Sequence, residues 1–286
     1  MTGTWTVRGQ TVKLDRPIVM GIVNVTPDSF SDGGLAFSFE NAVACASMLV
    51  TQGADILDIG GESTRPGAEP VTEAEELRRI LPLIRAVREA HPRTLMSVDT
   101  VKSGVADAAA HEGVHIVNDV SGMRLDAQMA GVCARHGLGA VLMHSRGGVA
   151  DMATYAHAEF EGDVVDVVLD ELRVRIDIAL AAGIRRETIV IDPGIGFGKR
   201  SAHSLRLLGS IRRFAETGFP VLVGTSRKRF IGEITGEQEP VARVFGSVGA
   251  AVSAYDRGAA IVRVHDVAAT RQALDVAAAI RSAEAA

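Results

Sequence analysis

Eight short apolar runs recur along the chain, at residues 18–24, 56–60, 94–99, 116–119, 140–144, 188–192, 221–225 and 260–265. They are rich in Val and Ile and bounded by Gly or Pro, so they read as strands buried on both faces, as parallel strands are. Stretches with helical periodicity separate them, at 40–52, from 72 onward, and at 103–112, 126–136, 163–182, 202–217, 243–258 and 268–283. Strand and helix repeated eight times predict a closed (β/α)8 (TIM) barrel, whose active site is built from the C-terminal ends of the strands. Nearly every run ends in a residue able to do chemistry. Asn24, Asp99, Asn118, His144, Asp192 and His265 sit at these ends, with Thr64, Arg65, Ser226 and Lys228 just beyond theirs.

Ahead of the first run, residues 4–7 and 11–14 alternate around Arg8-Gly9-Gln10, the pattern of a small β-hairpin that would plug the N-terminal mouth of the barrel. A barrel takes roughly 250 residues, so the 286 present divide as one domain: hairpin 1–17, barrel 18–267 and C-terminal helix 268–286. Two polar connections, 26–39 and 62–71, are long for so tight a repeat, and long loops in compact folds tend to be functional.

Composition adds exclusions. The 47% hydrophobic and 23% charged shares are those of an ordinary globular chain, and a formal charge of −5 supplies no basic field for nucleic acid. An anionic substrate would need a local cluster of cations. The two cysteines, Cys45 and Cys133, lie in Ala-rich helical stretches without metal-ligand spacing and read as buried free thiols of a cytoplasmic protein. The first residues lack the basic-then-apolar pattern of a signal peptide, and no apolar stretch nears the roughly 20 residues that span a bilayer.

Arg263 and His265 are two apart on the last strand, so both point to one side while Val262 and Val264 face the helices. Arg matches phosphate oxygens bidentately and His donates one more hydrogen bond, so the pair suits a phosphate at the rim. His144 has the right chemistry for an acid or base, although a structural role fits it better. The Arg227, Lys228, Arg229 run also fits a solvated surface.

In order, the chain carries NVTPDSFSDGG at 24–34, DIGGESTRPGA at 58–68, SVDT at 97–100, NDVSG at 118–122, MHSRG at 143–147, DPGIGFGK at 192–199, GTSRKRFIG at 224–232 and RVHDV at 263–267. This series resembles the dihydropteroate synthases of the pterin-binding enzyme family from about residue 18 to 267. The resemblance implies a barrel that condenses a dihydropterin-methyl diphosphate with 4-aminobenzoate in folate biosynthesis. It implies a pterin site of Asp99, Asn118, Met143, Asp192, Phe197, Gly224 and Lys228. One carboxylate, Asp192, would accept the two adjacent N–H groups of the pterin edge, against the alternative that it only caps the next turn. A structural Asn118 and a core Phe197 are the matching alternatives at those positions. Diphosphate would meet Asn24, Thr64, Arg65, Arg263 and His265. The arylamine would meet Phe30, Thr64, Pro66, Lys228, Arg229 and the helix start beside them, although some relatives carry Ser where this chain has Arg229. Mg²⁺ is the implied cofactor, held by Asn24 and Asp32. Asp99, Lys228, Arg263 and His265 carry the implied dissociative chemistry, with Asp99 stabilising the cation left when diphosphate departs. The family is commonly homodimeric. A barrel presenting methyltetrahydrofolate to a corrinoid would share the pterin-reading Asp and Asn, but would not need NVTPDSFSDGG or the Arg263–His265 pair. A catalytically silent paralogue should show lesions in the loops or at Lys228, and none is visible.

Overall fold

The computed structural model describes residues 3–26, 39–63 and 69–284. The hairpin pairs β1 (Thr4–Val7) antiparallel with β2 (Gln10–Lys13), joined by Arg8 and Gly9 at φ of 48° and 79°. Positive φ at both turn residues gives the twist that a two-residue hairpin loop requires.

Eight parallel strands follow: β3 (Ile18–Asn24), β4 (Ile56–Gly60), β5 (Leu95–Asp99), β6 (Ile116–Asp119), β7 (Gly139–Met143), β8 (Ile189–Asp192), β9 (Leu222–Val223) and β10 (Ile261–Val264). They are ordered β8-β7-β6-β5-β4-β3-β10-β9, and a parallel bridge between Ile191 and Val221 joins the two ends. The sheet is therefore a closed barrel. Around it lie α1 (Phe39–Thr51), α2 (Glu73–Ala90), α3 (Ser103–His111), α4 (Met129–His136), α5 (Val164–Ala181), α6 (Ser201–Gly209), α7 (Ile211–Ala215), α8 (Arg229–Thr235), α9 (Val244–Asp256) and α10 (Val267–Glu284). No described helix is long and apolar enough to cross a membrane.

Most spans match the expected pattern to within a residue or two; α4 starts three residues late, at Met129, and two others differ more. The single helix expected over 202–217 is two, broken at Ser210, whose φ of −112° and ψ of 14° leave the helical region. Gly209 and Ser210 are weak helix formers, and the break lets Ile211 and Phe214 reach the core, where both are fully buried. The seventh barrel strand keeps only two ladder residues, because Val221 is spent on the closing bridge and the chain beyond Val223 turns toward the cavity.

Alternation along each strand sorts the core into two parts. Val19, Val23, Leu57, Ile59, Val98, Val117, Leu142, Ile191, Val262 and Val264 face outward into the shell shared with the helices. Met20, Ile56, Ile116, Val141, Val190, Leu222 and Ile261 face inward and form one apolar layer with Trp5, Val7 and Leu14 of the hairpin. Trp5 is fully buried there and its indole N–H donates to the Thr188 carbonyl at 2.8 Å. Gly139 is what admits this plug: a Cβ on it would lie 2.6 Å from Val7 and 2.8 Å from Trp5. The bottom of the barrel is thus sealed with hydrocarbon.

Candidate active site

Further along most of the strands the inward positions become polar. Register places Asn24 beside Gly60, Gly60 beside Asp99 and Asp99 beside Asn118, and Met143 beside Asp192. These strand ends open into a cavity of about 550 Å³, which Asn24, Asp99, Asn118, Met143, Asp192 and Phe197 line together with Gly224, Lys228, Arg229, Arg263 and His265. That volume lies in the usual range for a small-molecule site. Every expected site residue within the described part of the chain is gathered here. Phe30, Asp32, Thr64, Arg65 and Pro66 lie outside the described residues.

The charged centre of the site is organised by Asp58, a residue the sequence reading left unassigned. Its carboxylate is fully buried, and Oδ2 accepts from Arg263 Nε at 2.6 Å and from Asn118 Nδ2 at 2.9 Å. Arg263 Nη2 donates to Asp99 Oδ2, also at 2.6 Å. The same-face prediction for Arg263 and His265 holds, yet two of the Arg263 donors are committed to carboxylates inside the barrel. Asn118 is fixed as well: with one N–H held by Asp58, its amide oxygen and its second N–H are what it has left to offer. Burial pushes the Asp99 carboxyl up toward neutrality and Asp58 adds to the rise, while the Arg263 guanidinium pulls it down.

Asp192 is both a cap and a cavity group. Oδ1 accepts the Gly194 N–H at 2.7 Å, and burial raises the carboxyl to about 6 despite that bond and the nearby Lys228. Lys228 stands over the Phe197 ring, its Nζ 4.1 Å from the centroid, an attractive cation–π placement. Burial lowers its ammonium to about 8, with Asp192 acting in the opposite sense. Met143 joins Val101, Val120 and Met152 in a small apolar cluster against which Phe197 packs. The cavity therefore has one flat greasy wall and one hydrogen-bonding edge, the complement of a polar heteroaromatic ring.

The turn after β8 is pinned by a second residue not singled out from sequence. Lys199 is 2% exposed, and its Nζ donates to the carbonyls of Gly194 at 3.0 Å and Phe197 at 2.9 Å, and lies 2.9 Å from His144 Nδ1. Gly194, at φ 68°, has no room for a side chain, since a Cβ would lie 1.9 Å from the His144 carbonyl oxygen. His144 accepts from Lys199 at Nδ1, so its ring proton sits on Nε2, 3.0 Å from Glu171 Oε2. Burial and the Lys199 charge lower the imidazole to about 4. The structural role fits: His144 faces α5 and ties Lys199 to it. A lysine closing a Gly-rich DPGIGFGK segment was the signal available in the sequence.

At the rim, the Ser226 hydroxyl accepts the His265 backbone N–H at 3.2 Å and meets Nδ1 at 3.0 Å. If Ser226 donates to Nδ1, the neutral ring carries its proton on Nε2. Arg227 also lines the cavity but is held by Asp266 at 2.7 Å in a part-buried ion pair, which departs from the solvated-surface reading for that residue. Arg229 lies over Tyr155 at 4.6 Å from the ring centroid, and Tyr155 is an unforeseen wall of the cavity. The second long connection is stapled where it begins and ends, because Glu62 Oε1 accepts the Val71 N–H at 2.7 Å. Lys102 holds the other Glu62 oxygen at 2.8 Å and Glu76 at 2.6 Å.

A closed parallel barrel with a ring-shaped polar pocket at its C-terminal end agrees with what comparison with known proteins finds. The family model described as pterin binding enzyme matches residues 20–265, and the chain belongs to that family. Within it the similarity is to dihydropteroate synthases. That of Synechocystis sp. is 42% identical over 265 residues, 93% of this chain and 90% of that protein. The Xanthomonas albilineans dihydropteroate synthase solved with 4-aminobenzoic acid is 46% identical, with a TM-score of 0.90 over 98% of this chain and 99% of that one. The enzyme of the same organism in complex with 7,8-dihydropteroate is 45% identical, with a TM-score of 0.86 over 97% and 98% of the two chains.

Proposed function

We infer that this chain is a dihydropteroate synthase, a transferase that joins (7,8-dihydropterin-6-yl)methyl diphosphate to 4-aminobenzoate and releases diphosphate in folate biosynthesis. The observation that carries the reading is the ring-shaped pocket: a buried Asp192 and an oriented Asn118 on its edge, with Phe197 and Lys228 stacked above. In this reading the pterin edge donates two adjacent N–H groups to Asp192, the geometry a carboxylate accepts from a guanidinium. Asn118 offers its amide oxygen to the ring, Lys228 donates to the ring oxo group, and Met143 and the Gly224 backbone line the remaining wall.

Diphosphate is assigned to Arg263, His265 and Asn24, with Thr64 and Arg65 joining from the second long connection. Asn24 and Thr26 both line the cavity and offer oxygen donors. Such a set suits Mg²⁺, which takes few protein ligands and leaves most of its sphere to water and phosphate. Asn24, with Asp32, would hold the ion, and once bound it would neutralise diphosphate oxygens. The C–O bond to diphosphate breaks with both electrons leaving on oxygen, so positive charge spreads over the methylene carbon and the ring. Asp99, fixed by Arg263, is positioned to stabilise that charge as it develops, and a preorganised dipole of this kind needs no reorganisation at the moment of reaction. The arylamine nitrogen then bonds to the methylene carbon and sheds a proton. Phe30, Thr64, Pro66, Lys228 and Arg229 are assigned to the 4-aminobenzoate.

The decisive experiment is a coupled assay of diphosphate release from the purified chain. Release should require both the pterin diphosphate and 4-aminobenzoate, and release indifferent to the arylamine would sink the reading. Two further parts of the proposal concern the whole molecule. A homodimer is supported by exposed apolar side chains on elements that pack together: Leu205 of α6, Ile234 of α8, Val241 just before α9 and Phe245 in its first turn, the last 90% exposed. Sedimentation should give a dimer that Phe245→Asp dissociates. A cytoplasmic location is supported by two unpaired cysteines, one of them, Cys133, so buried that its thiol is pushed up to about 12.

A further inference from the structure

We propose that Asp107, His111 and His136 form a binding site for a transition-metal dication such as Zn²⁺, clamping the C-terminal ends of α3 and α4 at the plugged end of the barrel. The inference is independent of the catalytic reading. One donor atom from each of the three side chains lies within 4.8 Å of the other two. Asp107 and His111 are one helical turn apart on α3, and His136 is the last residue of α4. His136 Nε2 lies 2.9 Å from Asp107 Oδ1, and the two imidazole rings are 4.9 Å apart edge to face. Tetrahedral zinc, with bonds of about 2.0–2.2 Å, holds its donors roughly 3.3–3.5 Å apart, so small rotations about the side-chain bonds complete the set. The ion would replace the proton now shared between His136 and Asp107, and water would fill the fourth position.

Two imidazoles and one carboxylate select zinc, cobalt, nickel or copper over Mg²⁺, which prefers oxygen alone. Two contacts compete. Arg135 Nη2 lies 3.1 Å from Asp107 Oδ1, but its side chain is 63% exposed and can swing into solvent. His111 Nδ1 lies 2.8 Å from the Asp107 carbonyl, which leaves Nε2 of that ring for the ion. The neighbourhood already uses a cation as a fastener. Arg8, at the tip of the hairpin, donates Nη1 to the Ala110 carbonyl at 2.7 Å and the Val114 carbonyl at 2.9 Å, and its backbone N–H to Gly137 at 2.8 Å. Both helix ends therefore converge on the seat of the plug, where their free carbonyls favour positive charge. A metal bridging α3 and α4 would stiffen that seat without touching the catalytic end.

The test titrates the full-length protein, with Mg²⁺ in excess, with Co²⁺ followed by visible absorption and with Zn²⁺ followed by the melting temperature. Wild type should bind a single cobalt with the strong visible band of a tetrahedral site, and Zn²⁺ should raise its melting temperature. His111→Ala and His136→Gln should each weaken binding by more than about tenfold and abolish the Zn²⁺-dependent rise. His111 is 69% exposed at its side chain, so its variant should melt like wild type without metal. Metal binding that persists unchanged in His111→Ala, or no binding by wild type, overturns the proposal.

Discussion

The two ends of this barrel are made by the same eight strands and solve opposite problems. At the bottom, inward positions carry Met, Ile, Val and Leu, closed by Trp5 and Val7 of the hairpin, and the gain is removal of hydrocarbon from water. At the top, the next inward positions carry Asp58, Asn118 and Asp192, which are buried, and Asp99 and Arg263, which are partly buried. Buried charge is costly unless paired, so these groups lean on one another and on a ligand that brings the missing partners. Stability is stored at one end so that the other can be kept polar and hollow.

Substitutions should separate the two ends cleanly. The largest effect is expected for Trp5→Ala, which loses aromatic burial and the bond to the Thr188 carbonyl. It should cost about 3–5 kcal/mol of unfolding free energy in denaturant melts, while KM for the pterin stays within about twofold. A shift in KM comparable to the loss of stability would show that the plug and pocket are not separable. Arg263→Met tests the boundary between them. It strands the Asp58 carboxylate, so it should cost about 3 kcal/mol of stability besides abolishing turnover. A variant that is inactive yet as stable as wild type would reduce Arg263 to a ligand contact.

Asp192→Asn should act at the top alone, replacing an acceptor oxygen with a donor facing a pterin N–H. Calorimetry with a pterin should show a loss of about 2–3 kcal/mol in affinity without a change in melting temperature. Unchanged affinity in the folded variant would remove Asp192 from the pterin edge. The smallest effect is that of pH. Pterin binding needs Asp192 ionised and Lys228 protonated, so affinity should fall as pH drops through about 6 and as it rises through about 8. Each limb should approach tenfold per pH unit. Lys228→Met should lose the basic limb and keep the acidic one, and a basic limb that survives in it belongs to another group.

Much of this was legible along the chain because it depends on neighbours in sequence. Alternation along residues 260–265 was enough to put Arg263 and His265 inside and Val262 and Val264 outside, since side-chain direction in a strand repeats every two residues. The eight runs announced their own strands, and Arg8-Gly9-Gln10 its own turn, because φ and local burial are near-neighbour properties. Asp58 was hidden in plain sight: a carboxylate in the middle of a strand gives no sign of what it faces until closure brings Arg263 to it, 205 residues away. Lys199 follows a glycine-rich turn that gives no sign of its partners, and only the placement of β7 beside β8 encloses it among carbonyls. The sequence by itself determined which residues face inward and at which height. Only the tertiary structure decided which inward charges become partners, because hydrogen bonds and ion pairs are set by distances across the barrel, and those exist only once its last strand has met its first.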